Sequence, residues 1–511
     1  MIELFGGLAQ GFGVVFTLSN LAAVFIGCLV GTLIGALPGL GTSGTIAILL
    51  PITIGMAPAT AMIMFAGIYT GAMYGGSITS ILINTPGESS SVMTTLDGYQ
   101  LAKLGRGGAA LGMCAIASFV SGTIGVLLMT FIAPSLADFA LSFGPTEYFS
   151  LMLLGLTMLA FLGSASFLKA LASGLVGLLL ALVGMDPVEG QKRFTFGMLP
   201  LMDGIAFMIA AMGLFAIAEI LMNVERSKEN RPIFSTSWKS VYPTMYDIVS
   251  TRWTMLRAAV IGFLIGALPG AGATIASFVS YGVEKRLSRH PEEFGKGAMA
   301  GVVAPEGANN AASAGALVPL LTLGIPGSGA TAMMLGALIL YGVKPGPLLI
   351  QNEPELFWGV IASLYISNMV LLVMNLPLIP AFAAVLKVPY HYLYPFIFIV
   401  TMIGVYSLNN IMFDLQLLVA FAVLGYAMRK LGFPAAPVVL ALVLGPLIER
   451  ALNQALTISH GDFSVFFTHP ISATLIALNI LLVVGAVRRG VGSSRRSEAQ
   501  GTPSADGGTP A

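Results

Sequence analysis

The sequence predicts an all-α polytopic membrane protein with two inverted-topology repeats. Each repeat holds a re-entrant helical hairpin and a broken helix, for about eleven crossings plus the two hairpins. Three observations predict this class. First, 56% of the 511 residues are hydrophobic and 9% are charged, against about 25% charged in a soluble domain. Apolar runs recur from end to end, so this is not a globular domain with an anchor. Second, G-A-L-P-G-x-G is written twice, in "GALPGLGTSGTIAILLPIT" from Gly35 and "GALPGAGATIASFVSYGVEKR" from Gly266. Third, equivalent short loops of the two copies carry opposite Lys/Arg bias at most positions.

Proline pairs set the register of the copies. Pro38 answers Pro269, Pro86 in "ILINTPGESSS" answers Pro326 in "LTLGIPGSGAT", and Pro134 and Pro145 answer Pro380 and Pro389. The spacing drifts only slightly, as two copies with short insertions require. The expected domains are an N-terminal transmembrane repeat over 1–223, a cytoplasmic linker over 224–252 and a C-terminal transmembrane repeat over 253–452. An extra helix over 453–487 and a disordered cytoplasmic tail over 488–511 follow.

Orientation follows from Lys and Arg in short loops. After the first motif, "ITIGMAP" has no charge, while its counterpart "EKRLSRHPEEFGK" is rich in base. After the second motif the bias swaps: Lys103 and Arg106 stand against Lys344 with Glu353 and Glu355. Asp138 and Glu147 then oppose Lys387. Asp186 and Glu189, mixed with Lys192 and Arg193, oppose Arg429 and Lys430. Inverted repeats are the simplest cause. Arg257, Lys285 and Arg286 flank both ends of 258–284, and neither arm reaches the roughly 20 residues of a crossing. Leu268-Pro269-Gly270 is therefore read as the tip of a re-entrant hairpin. Pro38-Gly39 tips its counterpart from the other side. Pro86-Gly87 and Pro326-Gly327 are read as unwound breaks in crossing helices. The N-terminus is expected outside and the tail inside.

Proline breaks helices and glycine tolerates the resulting backbone. At membrane depth such backbone survives only when buried in protein or lining a wet cavity. Half-helices starting there present free N–H groups and a positive dipole end, which suits an anion. Small or hydroxylic residues follow each break, giving a candidate substrate and ion site. In the first repeat it comprises Pro38, Gly39, Gly41, Thr42, Ser43, Pro86, Gly87, Ser89 and Ser90. In the second it comprises Pro269, Gly270, Gly272, Thr274, Pro326, Gly327 and Ser328. Hydroxyls and free carbonyls also suit a small cation. Asn309 and Asn310 either bind carboxylate or cap helices. Glu88 and Glu306 either pair with a coupling cation or are loop and helix-start charges. Glu219 and Glu449 end matching helices and read as interface charges.

Other classes are weakly supported. Net charge is +1, so no nucleic-acid partner is expected. The first 30 residues hold no Lys or Arg, so no cleavable signal peptide is expected. Cys28 and Cys114 sit in apolar runs and suggest no disulfide. There is no H-E-x-x-H and no G-x-x-x-x-G-K-[ST], so neither a zinc protease nor an ATP-driven pump is expected. A channel or an intramembrane enzyme remains the alternative.

The paired G-A-L-P-G-x-G segments, "YGGSITSILINTPGESSSVMTTLDGYQLAKLGRGGAALG" (74–112) and "APEGANNAASAGALVPLLTLGIPGSGATA" (304–332) resemble the TctA family, the large membrane subunit of tripartite tricarboxylate transporters. The resemblance runs to about residue 487. It implies a bacterial inner-membrane symporter, with no enzymatic role, that takes citrate or another carboxylate from a periplasmic TctC-type solute-binding protein. It implies a small TctB-type membrane partner in the same lipid bilayer. It also implies Na⁺ or H⁺ as coupling ion, with no cofactor and no structural metal. The family is similar to the wider ion-transporter superfamily, whose opposed hairpins move elevator-fashion.

Overall fold

A computed structural model gives the fold and describes residues 2–37, 41–162, 166–186, 190–225, 242–270, 272–385 and 390–500. The expected tip Pro38-Gly39 lies outside the described residues. The first half holds α1 (Ile2–Val15), α2 (Leu18–Gly35), α3 (Gly41–Leu49), α4 (Pro58–Ile83), α5 (Val92–Lys103), α6 (Gly107–Ala140), α7 (Pro145–Leu162) and α8 (Phe167–Ala181). A small antiparallel pair follows, β1 (Gly184–Met185) with β2 (Lys192–Arg193). Then come α9 (Phe207–Ala211), a π-turn Met212–Ile217 and α10 (Ala218–Glu225). The second half holds α11 (Met245–Ser250), α12 (Arg252–Gly266), α13 (Gly272–Leu287), α14 (Met299–Leu323), α15 (Gly329–Leu340), α16 (Leu349–Asn352), α17 (Pro354–Val385), α18 (Tyr390–Asn409), α19 (Met412–Lys430) and α20 (Ala436–Ile458). The chain closes with α21 (Val465–Thr468) and α22 (Pro470–Gln500).

Several boundaries differ from expectation. Helix α1 was not foreseen and packs on α17. The small β pair holds the only strands among the described residues. The divisions at 223 and 452 fall inside α10 and α20. Helix α22 runs on to Gln500, into the tail expected to be disordered, because no proline before Pro503 stops it.

Local chemistry explains where the helices begin and end. Prolines open α4, α7, α17 and α22, where a missing N–H costs nothing. Helices α4 and α14 close on left-handed residues, Asn84 (φ 54°) and Gly324 (φ 70°), just before the two Pro-Gly breaks.

Packing repeats in the two halves. Helix α2 lies along α4, and α12 lies along α14. A Cβ built on Gly35 would lie 2.4 Å from the Ala72 carbonyl oxygen, and one on Gly266 2.3 Å from that of Ala312. Close backbone approach through small residues is the usual packing device of membrane helices. The long helices then exchange partners: α6 packs on α14, and α17 on α4.

Among the described residues, six helices are long and apolar enough to cross a membrane: Leu18–Gly35, Pro58–Ile83, Gly107–Ala140, Pro354–Phe382, Met412–Lys430 and Ala436–Ile458. The protein is a multi-pass membrane protein. Helix α14 is not among the six; Glu306, Asn309 and Asn310 interrupt its apolar character. Both α4 and α14 lie deep in the protein.

Candidate functional site

The breaks of both halves converge on one cavity of about 690 Å³. Its walls come from 41–44, 85–90, 272–275 and 328–330, closed by side chains of α4, α7, the π-turn, α10 and α19. Two left-handed glycines, Gly41 (φ 62°) and Gly272 (φ 59°), open the half-helices α3 and α13 on this cavity. A side chain at either position would strain the backbone. Polar contacts tie the halves together across it. The hydroxyls of Ser89 and Thr274 are 2.8 Å apart, and those of Tyr69 and Ser328 are 3.3 Å apart.

Gly41, Thr42, Ser43, Pro86, Gly87, Ser89, Ser90, Gly270, Gly272, Thr274 and Ser328 all reach this cavity wall. Pro269, Pro326, Gly327, Asn309 and Asn310 are not on it. Gly327 is buried behind the wall, where its carbonyl accepts from the Gly270 N–H at 3.1 Å. That bond ties the second hairpin tip to the second break. Asn309 and Asn310 sit inside α14, fully or almost fully buried, so neither caps a helix. The Asn309 amide donates to Glu306 at 3.2 Å, and that of Asn310 to Ser118 at 2.8 Å. Glu306 is likewise mid-helix and fully buried, so it is no helix-start charge.

The charges at the cavity are informative. Glu88 accepts from both the backbone N–H and the hydroxyl of Thr42, at the start of α3. The protein's own carboxylate therefore occupies donors that sequence reasoning assigned to a bound anion. Arg429, at the end of α19, forms an ion pair with Glu219 of α10, and both line the cavity. Sequence reasoning took Arg429 for a loop charge and Glu219 for an interface charge. Glu219 stands alone among apolar residues in "LFAIAEILM", and an isolated ionisable residue in a membrane segment is a functional signal. The π-turn just before it places Phe215 in the cavity; such turns often mark functional positions. Glu449 lies inside α20 rather than at a helix end, and pairs with Arg193 at 2.6 Å.

The arrangement suits a carboxylate. It combines one guanidinium, several hydroxyls and two helix starts in a site of small-molecule size. A family model for the tripartite tricarboxylate transporter TctA family matches residues 21–440. The chain belongs to the TctA family. An uncharacterized 52.8 kDa protein in the TAR-I ttuC' 3' region of Agrobacterium vitis is 46% identical over 495 residues, spanning 97% of this chain and 98% of the relative. An uncharacterized protein in the TAR-II ttuC' 3' region of the same organism is 48% identical over 234 residues, spanning 46% of this chain and 97% of the relative. No solved structure matches this TctA chain. The family match covers all four segments that build the cavity, and it identifies the chain with the large subunit of a tripartite transport system.

Proposed function

We propose that this TctA subunit imports a tricarboxylate or related carboxylate by cation symport across the bacterial inner membrane. A periplasmic TctC-type binding protein delivers the substrate, and a small TctB-type membrane subunit completes the system. In this reading the two repeats are inverted, the N-terminus is periplasmic and the C-terminus cytoplasmic. The observation that carries it is the single cavity where break residues of both halves meet beside the Arg429–Glu219 pair. Substrate carboxylates would compete with Glu219 for Arg429, and with Glu88 for the start of α3.

Electrostatics supports symport. Carrying one negative charge inward against 100 mV costs about 2.3 kcal/mol, so a citrate trianion costs about 7 kcal/mol. Cations entering with the substrate remove this cost when their charges at least equal those of the anion. The candidate oxygens are the hydroxyls of Thr42, Ser43 and Thr274 with neighbouring backbone carbonyls.

The test is uptake of labelled citrate into vesicles holding the assembled membrane subunits, with the cognate binding protein outside. Accumulation is expected to need an inward Na⁺ or H⁺ gradient and to stop when both are collapsed. Accumulation that persists with both collapsed overturns the symport reading.

A further inference from the structure

Helix α5 starts at the cavity wall, directly after Ser91, and carries two fully buried polar residues on one face, Thr94 and Asp97. Both reach the second half. Asp97 is fully provided for: Oδ1 accepts from the N–H groups of Gly295, Gly297 and Ala298 at 2.8, 2.9 and 2.8 Å. Its Oδ2 accepts from the Tyr281 hydroxyl at 2.9 Å. Thr94 donates to a different carboxyl, that of Glu306 on α14.

Glu306 is as deeply buried as Asp97 but far less supported. Its side chain has two neutral donors, the Thr94 hydroxyl and the Asn309 amide. Among the described residues, the titratable groups facing it from the elements packed on this part of α14 bring it no positive charge. Asp97 on α5 and Tyr281 on α13 bond each other. Arg257 on α12 is committed to Glu284 of α13 at 2.7 Å. Cys114 on α6 and Tyr69 and Tyr74 on α4 are buried neutral groups. An ionised carboxylate taken from water without a counter-charge costs several kcal/mol. Beside it stands Asn310, 1% exposed, whose two amide hydrogens are shared among the Ser118 hydroxyl, the Asn309 Oδ1 and the Glu306 carbonyl. Its own Oδ1 is buried and has no hydrogen-bond partner among the described residues. The Glu306 carboxyl is thus held by neutral donors without a counter-charge, and adding a proton to it removes the buried charge.

We infer that Glu306 is a proton-binding site, separate from the cavity, that holds one proton in this arrangement of the two halves. Thr94 and α5 connect it, through Ser91, to the cavity wall at Glu88–Ser90. One proton is taken from water to convert the carboxylate to the acid and is returned to water on release; no other bond changes. Assigning this proton to coupling rests on the symport reading, but its presence does not.

The test is infrared spectroscopy of the purified protein at neutral pH, without substrate, in potassium chloride. The wild type is expected to show the carbonyl stretch of a protonated carboxylic acid. Glu306→Gln should remove that band and Glu88→Gln should keep it. Thr94→Val should keep it at a shifted frequency, because a hydrogen bond to the group is lost; this variant decides alone if Glu306→Gln does not fold. Exchange of potassium for sodium chloride should leave the band in place. A spectrum without a Glu306-dependent band, or an unshifted band in Thr94→Val, overturns the inference. Loss of the band in sodium chloride overturns it in favour of a sodium site. None of these outcomes depends on uptake, so failure of the symport reading would be seen separately.

Discussion

The two helix caps that follow the breaks, Glu88 and Ser328, occupy matching positions. Each stands two residues after its proline, and each precedes a short helix. In each, a hydroxyl three residues on accepts from the cap's backbone N–H: Ser91 from Glu88 at 3.4 Å, and Thr331 from Ser328 at 2.8 Å. The side chains then part company. Glu88 turns back to Thr42 in its own half, while Ser328 reaches Tyr69 in the other. Helices α4 and α14 repeat the lesson. Thr70, Ser77 and Ser80 of α4 bond mainly to nearby backbone, whereas α14 carries Glu306, Asn309 and Asn310. Duplicated backbone devices are kept because helix breaks and close packing leave few alternatives. Side chains facing the interior between the halves were free to diverge into different chemistry.

If the scaffold is symmetric and the chemistry is not, glycine substitutions should behave alike in both halves. Gly35→Ala and Gly266→Ala each place a methyl against a backbone carbonyl that cannot move aside. Each should destabilise by about 3 kcal/mol, the upper end of overpacking costs, with Gly282→Ala, which meets nothing within 4 Å, as the tolerated control. Thermal unfolding in detergent reads this. Tolerance in one half alone breaks the comparison.

The next effect should be one-sided. Asp97→Ala removes the shared acceptor of three backbone donors, of which that of Ala298 is buried, and should cost about 2 kcal/mol. The position matching Asp97 in the second half is the buried Ala337, and Ala337→Ser, whose hydroxyl can bond back to a carbonyl of its own helix, should cost no more than about 1 kcal/mol. Equal losses would mean that the carboxylate is not what holds the entry to α14.

The caps offer a finer test. Ser328→Ala should cost about 1 kcal/mol, the usual value of a lost hydroxyl cap. Glu88→Ala should cost up to about 2 kcal/mol, because it also removes an acceptor from the start of α3. The same thermal scan checks both, and a reversed order would show that the charged cap is strained rather than stabilising.

The smallest effect lies outside the spans. Burial pushes the Asp247 carboxyl up, but hydrogen bonds from Thr244 and Arg106, with the Arg106 charge, outweigh it and leave the group below its ordinary value. A lowered folded value favours the folded state above the ordinary Asp pKa of about 3.9. That contribution disappears as pH falls through the lower folded value. Arg106 is 46% exposed, so solvent screening holds the pair to about 1 kcal/mol at most. Arg106→Ala should flatten this part of the acid limb of a stability–pH curve without moving its neutral plateau by more than that. An unchanged acid limb would remove the pair from the account.

Much of the scaffold was legible in the chain itself. Apolar runs located helices, the second G-A-L-P-G-x-G located the interruption between α12 and α13, and the second proline pair located the breaks after α4 and α14, because helix breaking is a local property of Pro and Gly. The hydroxyl and glycine part of the cavity wall was legible for the same reason: those residues sit at the breaks. Arg429 and Glu219 were not, since they lie far apart in sequence and meet only because α10 and α19 pack together. The sequence left Asn309 and Asn310 open between binding carboxylate and capping a helix, and Glu306 between pairing with a cation and a helix-start charge; the cap and helix-start alternatives fail because distance from a helix end depends on where α14 begins. That start is set by the α13–α14 connection folding onto Asp97 from the other half. The sequence by itself determined where the backbone breaks and repeats. Which charges face the cavity and which are sealed beside it was decided only by tertiary packing, because charge pairing and burial depend on contacts between halves that no local pattern records.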